Sequence, residues 1–557
     1  MKITGSQAVI ESLLKEKVEV IFGYPGGANM PIYNALYDYK NKIRHILVRH
    51  EQGATHAAEG YARVTGCAGI CFATSGPGAT NLVTGIADAM MDSVPMVCIT
   101  GQVASHLIGT DAFQETDVIG ITAPITKWNY QITKVEEIPE VFAKAFFIAQ
   151  NSRPGPVVID ITKDAQFKIF DFKYPKNYQL KKLLPLNPSK KIVKQFSEIV
   201  NQAKKPLIIV GHGALISGSS KILTKFIEKS EIPVASTLHG LGAIPTQHKN
   251  YVGMVGMHGH YSPNVLTNQA DIIVAIGMRF DDRVTSTIST YAPQAKIIHI
   301  DIDASEINKN IKSYFGIVGD AKTVLTESLP LIKKGHHQDW LDEFKKLEIY
   351  AKKIVDGQPK KLGITQQEVI KMISEKTKGE AIIVADVGQN QMFSAKFYQY
   401  KNPNSYITSG GLGTMGFALP ASMGAKIAAP DKQVIAVIGD GGFQMTIQEL
   451  GTISQEKLDI KILILNNEYL GMVRQWQEMF FEKRYSFTHL VNPDFIAISK
   501  GYGINANLVM EKNKLENAVN NFLKAQGPTL LEVRVEKENN IFPMISSGAA
   551  VDEIRIK

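Results

Sequence analysis

The sequence predicts an α/β protein made of three doubly wound units, each built on a parallel sheet. Three observations predict this. The chain has 557 residues, too many for one hydrophobic core. Short apolar runs recur between helical patterns, the mark of βαβ units whose strands are buried on both faces. The order strand, Gly-rich loop, helix, strand occurs in the first third and again in the last, as a weak internal duplication.

In the first third, Gly69 to Thr74 reads as a buried strand and Ser75-Gly76-Pro77-Gly78 as a turn. Ala79 to Met91 has helical periodicity, and Pro95 to Thr100 is the next strand. The middle unit opens near Lys205 and carries strands at Ile272 to Ile276 and Ile297 to Ile300. In the last third, Val434 to Ile438 is a strand, Gly439-Asp440-Gly441-Gly442 turns the chain, and a helix runs on to about Gln455. Ile460 to Leu465 is the following strand. A polar, Pro/Lys-rich join covers about 168 to 191, and a charged helical one about 333 to 361. The expected units are therefore 1–167, 190–332 and 362–540, with a tail at 541–557.

Composition narrows the function. Hydrophobic residues make up 44% and charged residues 20%, ordinary for a globular protein. No apolar run is long enough to span a bilayer, and the N-terminus lacks a signal peptide's apolar centre, so no membrane role and a cytoplasmic location are expected. The three cysteines, Cys67, Cys71 and Cys98, are too few and oddly numbered for a disulfide framework, and core packing is expected for Cys67 and Cys71. The net charge is +8, but the lysines are scattered, with no basic stripe interleaved with aromatics. Nucleic acid is not the expected partner; the excess charge favours anionic substrates.

The strongest chemical signal is Gly439-Asp440-Gly441, followed after 24 intervening residues by Asn466-Asn467. Both segments end apolar runs and so lie at the carboxyl edge of a parallel sheet, where open α/β sheets bind ligands. Asp440 offers a carboxylate and Asn467 an amide oxygen, hard ligands suited to Mg²⁺ on a diphosphate. Gly441 and Gly442 let the backbone approach phosphates at a helix N-terminus. Gly-Asp-Gly alone occurs in many turns; the paired spacing gives it meaning.

This spacing resembles the signature of thiamine-diphosphate (ThDP) enzymes, and the resemblance covers essentially the whole chain. It implies a pyrimidine-binding domain, a central domain and a diphosphate-binding domain, in that order. It implies active sites between two subunits, hence a homodimer or larger homo-oligomer. Mg²⁺ would be held by Asp440, Asn467 and the Tyr469 carbonyl. Glu51 resembles the glutamate that shares a proton with the pyrimidine ring, a role that needs a carboxyl group in a dry pocket. Taken alone, Glu51 reads better as a helix N-terminal residue stabilised by the dipole; beside the Gly-Asp-Gly signature the cofactor role prevails. His50-Glu51 is not a zinc motif, since the position four after His50 is Ala54.

Gly410-Gly411-Leu412-Gly413-Thr414-Met415-Gly416 contains GxGxxG, with Asp431 20 residues after Gly411. A dinucleotide site would need that acid at the end of a strand, whereas Asp431 precedes one. In the resembling family, Gly413 accepts from the 4′-amino group and Met415 wedges beneath ThDP. The resemblance extends cofactor contacts to Gly388, Gln389, Gln391, Met392, Gly410, Gly411, Gly439, Gly471 and Met472.

Within that family the chain is most similar to biosynthetic acetolactate synthase catalytic subunits. Gly277-Met278-Arg279-Phe280-Asp281-Asp282-Arg283 resembles part of their FAD-binding set. So do Gly211-His212-Gly213, Thr237-Leu238-His239, Met257-His258, Asp301-Ile302, Asp320 and Arg153. Met472-Val473-Arg474-Gln475-Trp476 resembles the segment whose Trp favours 2-ketobutyrate over pyruvate as second substrate. Arg283 would pair with the incoming carboxylate. Phe113, Gln114 and Lys163 match the active-site rim. A small regulatory subunit is a further implied partner. Asn390 departs from the family, which usually carries His there. The competing expectation is a FAD-dependent pyruvate oxidase on the same scaffold.

Overall fold

The computed structural model describes residues 1–175, 187–358 and 361–557. The two expected joins therefore lie partly outside the described residues. Among the described residues, no helix is long and apolar enough to cross a membrane.

Three six-stranded sheets organise the chain. All neighbouring strands within them run parallel. The strands are near-continuous apolar runs because both faces are covered: Val97, Ile99, Ile273, Val274, Ile435 and Val437 are all buried. With each unit's strands numbered in chain order, the first and last sheets share the spatial order 2-1-3-4-6-5. The duplication expected from the sequence is thus a duplication of topology. The middle sheet instead runs 3-2-1-4-5-6, the order of dinucleotide-binding folds.

Each order reverses beside the unit's first strand, and the strand ends there splay apart into a crevice. In the last unit the reversal lies between Ile382–Ala385 and Val434–Gly439. In the middle unit it lies between Pro206–Val210 and Ile272–Ile276.

The first and last units share one core. Helix Glu51–Thr65 carries Ala54, Ala57, Ala58 and Ala62 against Leu419 and Ala421 of helix Ala418–Ala428 and against Phe417, which caps it. Small residues allow the two backbones to touch. A Cβ on Gly60 would sit 1.9 Å from the Ala421 carbonyl oxygen, and one on Gly424 would sit 1.8 Å from that of Ala57.

The structure corrects two expectations. The helix after Gly439 is not continuous to Gln455: Asp440–Met445 and Leu450–Gln455 are separated by a 3₁₀ turn, Ile447–Glu449. Thr446 breaks it by donating its hydroxyl to the Gly416 carbonyl at 2.8 Å. Cys71 and Cys98 are buried partners on adjacent strands, but Cys67 is exposed. Cys67 follows Gly66, whose left-handed φ of 74° ends the helix and turns the chain outward.

The tail folds back on the middle unit. Met544–Ile545 pairs antiparallel with Ile554–Arg555. Ile545, Val551 and Ile554 join the same core cluster as Leu207, Ile209 and Ile273.

Candidate functional site

A cavity of about 60 Å³ opens at the last sheet's reversal point. Gly388, Gln389, Met415, Gly439, Asp440, Gly441 and Gly442 line it, with Asn467, Tyr469, Gly471 and Met472 opposite. Sheet topology explains the convergence, because these residues follow four parallel strand ends that point the same way. Asp440 is buried, and its Oδ2 accepts from the Asn492 side-chain amide at 2.7 Å. Burial pushes the Asp440 carboxyl up to about 6, against the pull of that hydrogen bond. Asn467 Oδ1 accepts from the Tyr469 N–H at 3.1 Å, which sets the turn that follows the strand. Gln389 Nε2 donates to Gln475 Oε1 at 2.9 Å and so ties two walls together.

Asn390, the departure from the family pattern, spends its amide on main chain. Its Nδ2 donates to the carbonyls of Asp386 and Val437 at 2.9 and 3.1 Å, stitching the two strands at the reversal. Asp386, which the sequence reading did not single out, accepts from the N–H groups of Gly416 and Ala418, each at 3.0 Å. Burial pushes its carboxyl up to about 6.

Glu51 does not line this cavity. It opens the helix after strand Arg44–Leu47 and is 9% exposed. Its Oε2 accepts from the Asn81 side chain at 2.9 Å. Glu449 of the last unit reaches the same corner and accepts from the N–H groups of Arg49 and His50, each at 3.0 Å. Burial pushes the Glu449 carboxyl up to about 7.

A second cavity, of about 280 Å³, opens at the middle sheet's reversal. It is lined by Arg153, Gly211, Gly213, Thr237, Gly277, Arg279, Asp281, Asp301, Ile302 and Asp320. Gly277 has φ +58°, and a Cβ there would meet Gly213 Cα at 2.5 Å, so two strand-end loops cross in contact. Arg153 Nη1 lies 2.7 Å from Glu306 Oε1. Asp301 is pushed up to about 6 by burial. The first unit supplies unforeseen wall residues, Met91, Asp92 and Ser93, while His212 and His239 lie within the segments the resemblance marks.

The remaining expected cofactor contacts line neither cavity. Leu238 and Met392 pack on the last unit's core. Gln391 Nε2 donates to Thr408 Oγ1 at 2.8 Å and the Ser409 carbonyl at 2.9 Å. Gly410 and Gly411 donate their N–H groups to Asp92. His258 is buried, its pKa pushed down to about 3 by desolvation and by the charges of Lys396 and Arg283. Arg283 is exposed and reaches Met257 Sδ at 3.4 Å. The expected rim residues are also apart: Phe113 is 88% exposed and Lys163 is exposed. Gln114 has φ +60°, and Trp476 lies half-buried with its ring 5.1 Å from Phe480. None of these lines either cavity.

Comparison with known proteins agrees with this architecture. Three thiamine pyrophosphate enzyme family models match in order: the N-terminal TPP binding domain over residues 3–121, the central domain over 193–328, and the C-terminal TPP binding domain over 386–533. The chain is 46% identical to the acetolactate synthase large subunit of Corynebacterium glutamicum, over all of this chain and 90% of that relative. It is 46% identical to the corresponding subunit of Lactococcus lactis, over 99% of this chain and 96% of the relative. It is 41% identical to the acetolactate synthase isozyme 2 large subunit of Escherichia coli, over 99% of both. The chain therefore belongs to the thiamine pyrophosphate enzymes and, among them, to the acetolactate synthase large subunits.

Proposed function

We propose that the chain decarboxylates pyruvate and joins the remaining two-carbon unit to a second pyruvate or to 2-ketobutyrate. The products are 2-acetolactate and 2-aceto-2-hydroxybutyrate, precursors of valine, leucine and isoleucine. The observation that carries this reading is the convergence of Asp440 and Asn467 beside Gly441 and Gly442 at the reversal point of a sheet.

The residues present fit the implied cofactors. Bound thiamine diphosphate supplies a nucleophilic carbon and an electron sink for loss of CO₂. Asp440 is a buried carboxylate faced by a neutral amide, and with Asn467 it forms the hard-oxygen set that suits Mg²⁺. Met415, a flexible thioether in the cavity wall, would shape the bound cofactor. Glu51 would hold the proton at the pyrimidine ring. Its position outside the cavity of its own chain supports a site completed by the Glu51 of a second copy. FAD would occupy the larger cavity, whose glycine crossing, Arg153 and dinucleotide-type strand order suit it, without net redox change.

Purified protein given pyruvate, ThDP, Mg²⁺ and FAD is expected to form acetolactate with no oxygen uptake. Oxygen uptake with acetate or acetyl phosphate, and no acetolactate, would identify an oxidase instead. Protein that carries no flavin and gains nothing from added FAD would refute the FAD assignment. For the acceptor, Trp476→Leu is expected to cut the preference for 2-ketobutyrate over pyruvate by roughly tenfold or more, since one methylene is worth about 1–3 kcal/mol. Product ratios from mixed-substrate competition measure this, and an unchanged ratio removes Trp476 from the acceptor pocket.

A further inference from the structure

We propose that Asp88 and Asp92 are positioning residues that hold the loop carrying Gly413 and Met415, and that Asp92 thereby couples the two cavities. The proposal rests on the function proposed above.

Both carboxylates project from helix Val83–Asp92 of the first unit, one turn apart, and both are buried. Asp92 accepts from the N–H groups of Gly411 at 2.7 Å and Gly410 at 3.0 Å, across the interface between units. Arg63 Nη2 donates to it at 2.6 Å, and His239 Nε2 lies 3.0 Å from its other oxygen. Burial opposes its charge, but His239 and Arg63 outweigh that and hold the carboxyl below its ordinary range. Asp88 acts one step earlier in the loop. Its Oδ1 accepts from the Ser409 hydroxyl at 2.7 Å, and Ser409 Oγ accepts from the Thr414 N–H at 2.8 Å. The far end of the loop is pinned from the other side by Asp386. Gly413 and Met415 lie between these pins, and Met415 lines the smaller cavity.

Asp92 also belongs to the wall of the larger cavity, and its carbonyl oxygen lies 2.9 Å from His212 Nδ1. One residue thus faces one ligand space and fixes the backbone at the edge of the other. A ligand that orders this strut lowers the ordering cost met by the second ligand. The resulting coupling must be reciprocal. An ion pair that merely closed the interface would affect stability and leave no such coupling.

The test is calorimetric titration of ThDP with Mg²⁺ into the full-length apoprotein, with and without saturating FAD. It is run on the wild type, Asp92→Asn and Ser409→Ala, with flavin fluorescence confirming FAD binding. In the wild type, FAD is expected to tighten ThDP binding by about 5-fold or more, the range typical of coupled sites. In Asp92→Asn that ratio is expected to fall to about one while FAD still binds. Ser409→Ala is expected to weaken ThDP binding in both conditions and to keep the ratio. A wild-type ratio in folded Asp92→Asn overturns the coupling. Should Asp92→Asn fail to fold, Ser409→Ala, which loses one hydroxyl, decides the positioning role: unchanged ThDP affinity overturns it. If the wild type binds ThDP but no FAD, the flavin assignment and the coupling fall together, and the variants' ThDP affinities still decide the positioning. If the wild type binds no ThDP, the function proposed above is itself wrong.

Discussion

Asp440→Asn and Asn467→Ala are each expected to lose Mg²⁺-dependent binding of thiamine diphosphate, and acetolactate formation with it. The asparagine is nearly isosteric and can keep its contact with Asn492, so the strand end and its turn survive. What disappears is the buried negative charge that a divalent cation would neutralise. Removing one partner of a buried charge pair costs about 3–5 kcal/mol, roughly two to four orders of magnitude in affinity. Titration of ThDP with and without Mg²⁺ measures the effect. Wild-type affinity in both variants would mean that the spacing of Gly-Asp-Gly and Asn-Asn serves the turn alone.

Gly60→Ala is expected to destabilise the protein by about 3 kcal/mol or more, a large effect for one methyl group. The added carbon would lie 1.9 Å from a carbonyl oxygen and 2.7 Å from its carbon, both main chain of helix Ala418–Ala428. A backbone cannot rotate aside as a side chain can, so the two helices must separate. They carry the core shared by the first and last units, and separation opens it to water. Gly501→Ala is the matched control: it is an exposed residue at the end of helix Phe495–Gly501, and a Cβ there meets nothing within 4 Å. Urea unfolding of both variants checks this, and a Gly60→Ala midpoint equal to that of Gly501→Ala would refute it.

The sheets were legible because parallel strands buried on both faces leave unbroken apolar runs, such as Val434 to Ile438 and Ile460 to Leu465. The lining of the smaller cavity was legible for a related reason, since Asp440 and Asn467 sit directly past those runs. The groups that bind the units to one another were not. Asp88 meets Ser409 across 321 positions and Asp92 meets Gly411 across 319. No local pattern distinguishes them from acids on a solvated helix face. Asn492 and Glu449 were missed likewise: each becomes meaningful only when a distant segment brings Asp440, or the N–H groups of Arg49 and His50, to it. The break at Thr446 has the same origin, a hydroxyl captured by Gly416 from another loop.

The tail sets an order on events during synthesis. The Ile545 N–H donates to the Met257 carbonyl at 2.8 Å, and these residues are 545 − 257 = 288 positions apart. At about 5–20 residues per second, a ribosome needs roughly 15–60 s to cover that interval. For the later part of that interval, once the middle unit is translated, it lacks Ile545, Val551 and Ile554, so the apolar surface they cover stays open. A nascent chain stalled before residue 541 would therefore be a better client for a chaperone than the released protein.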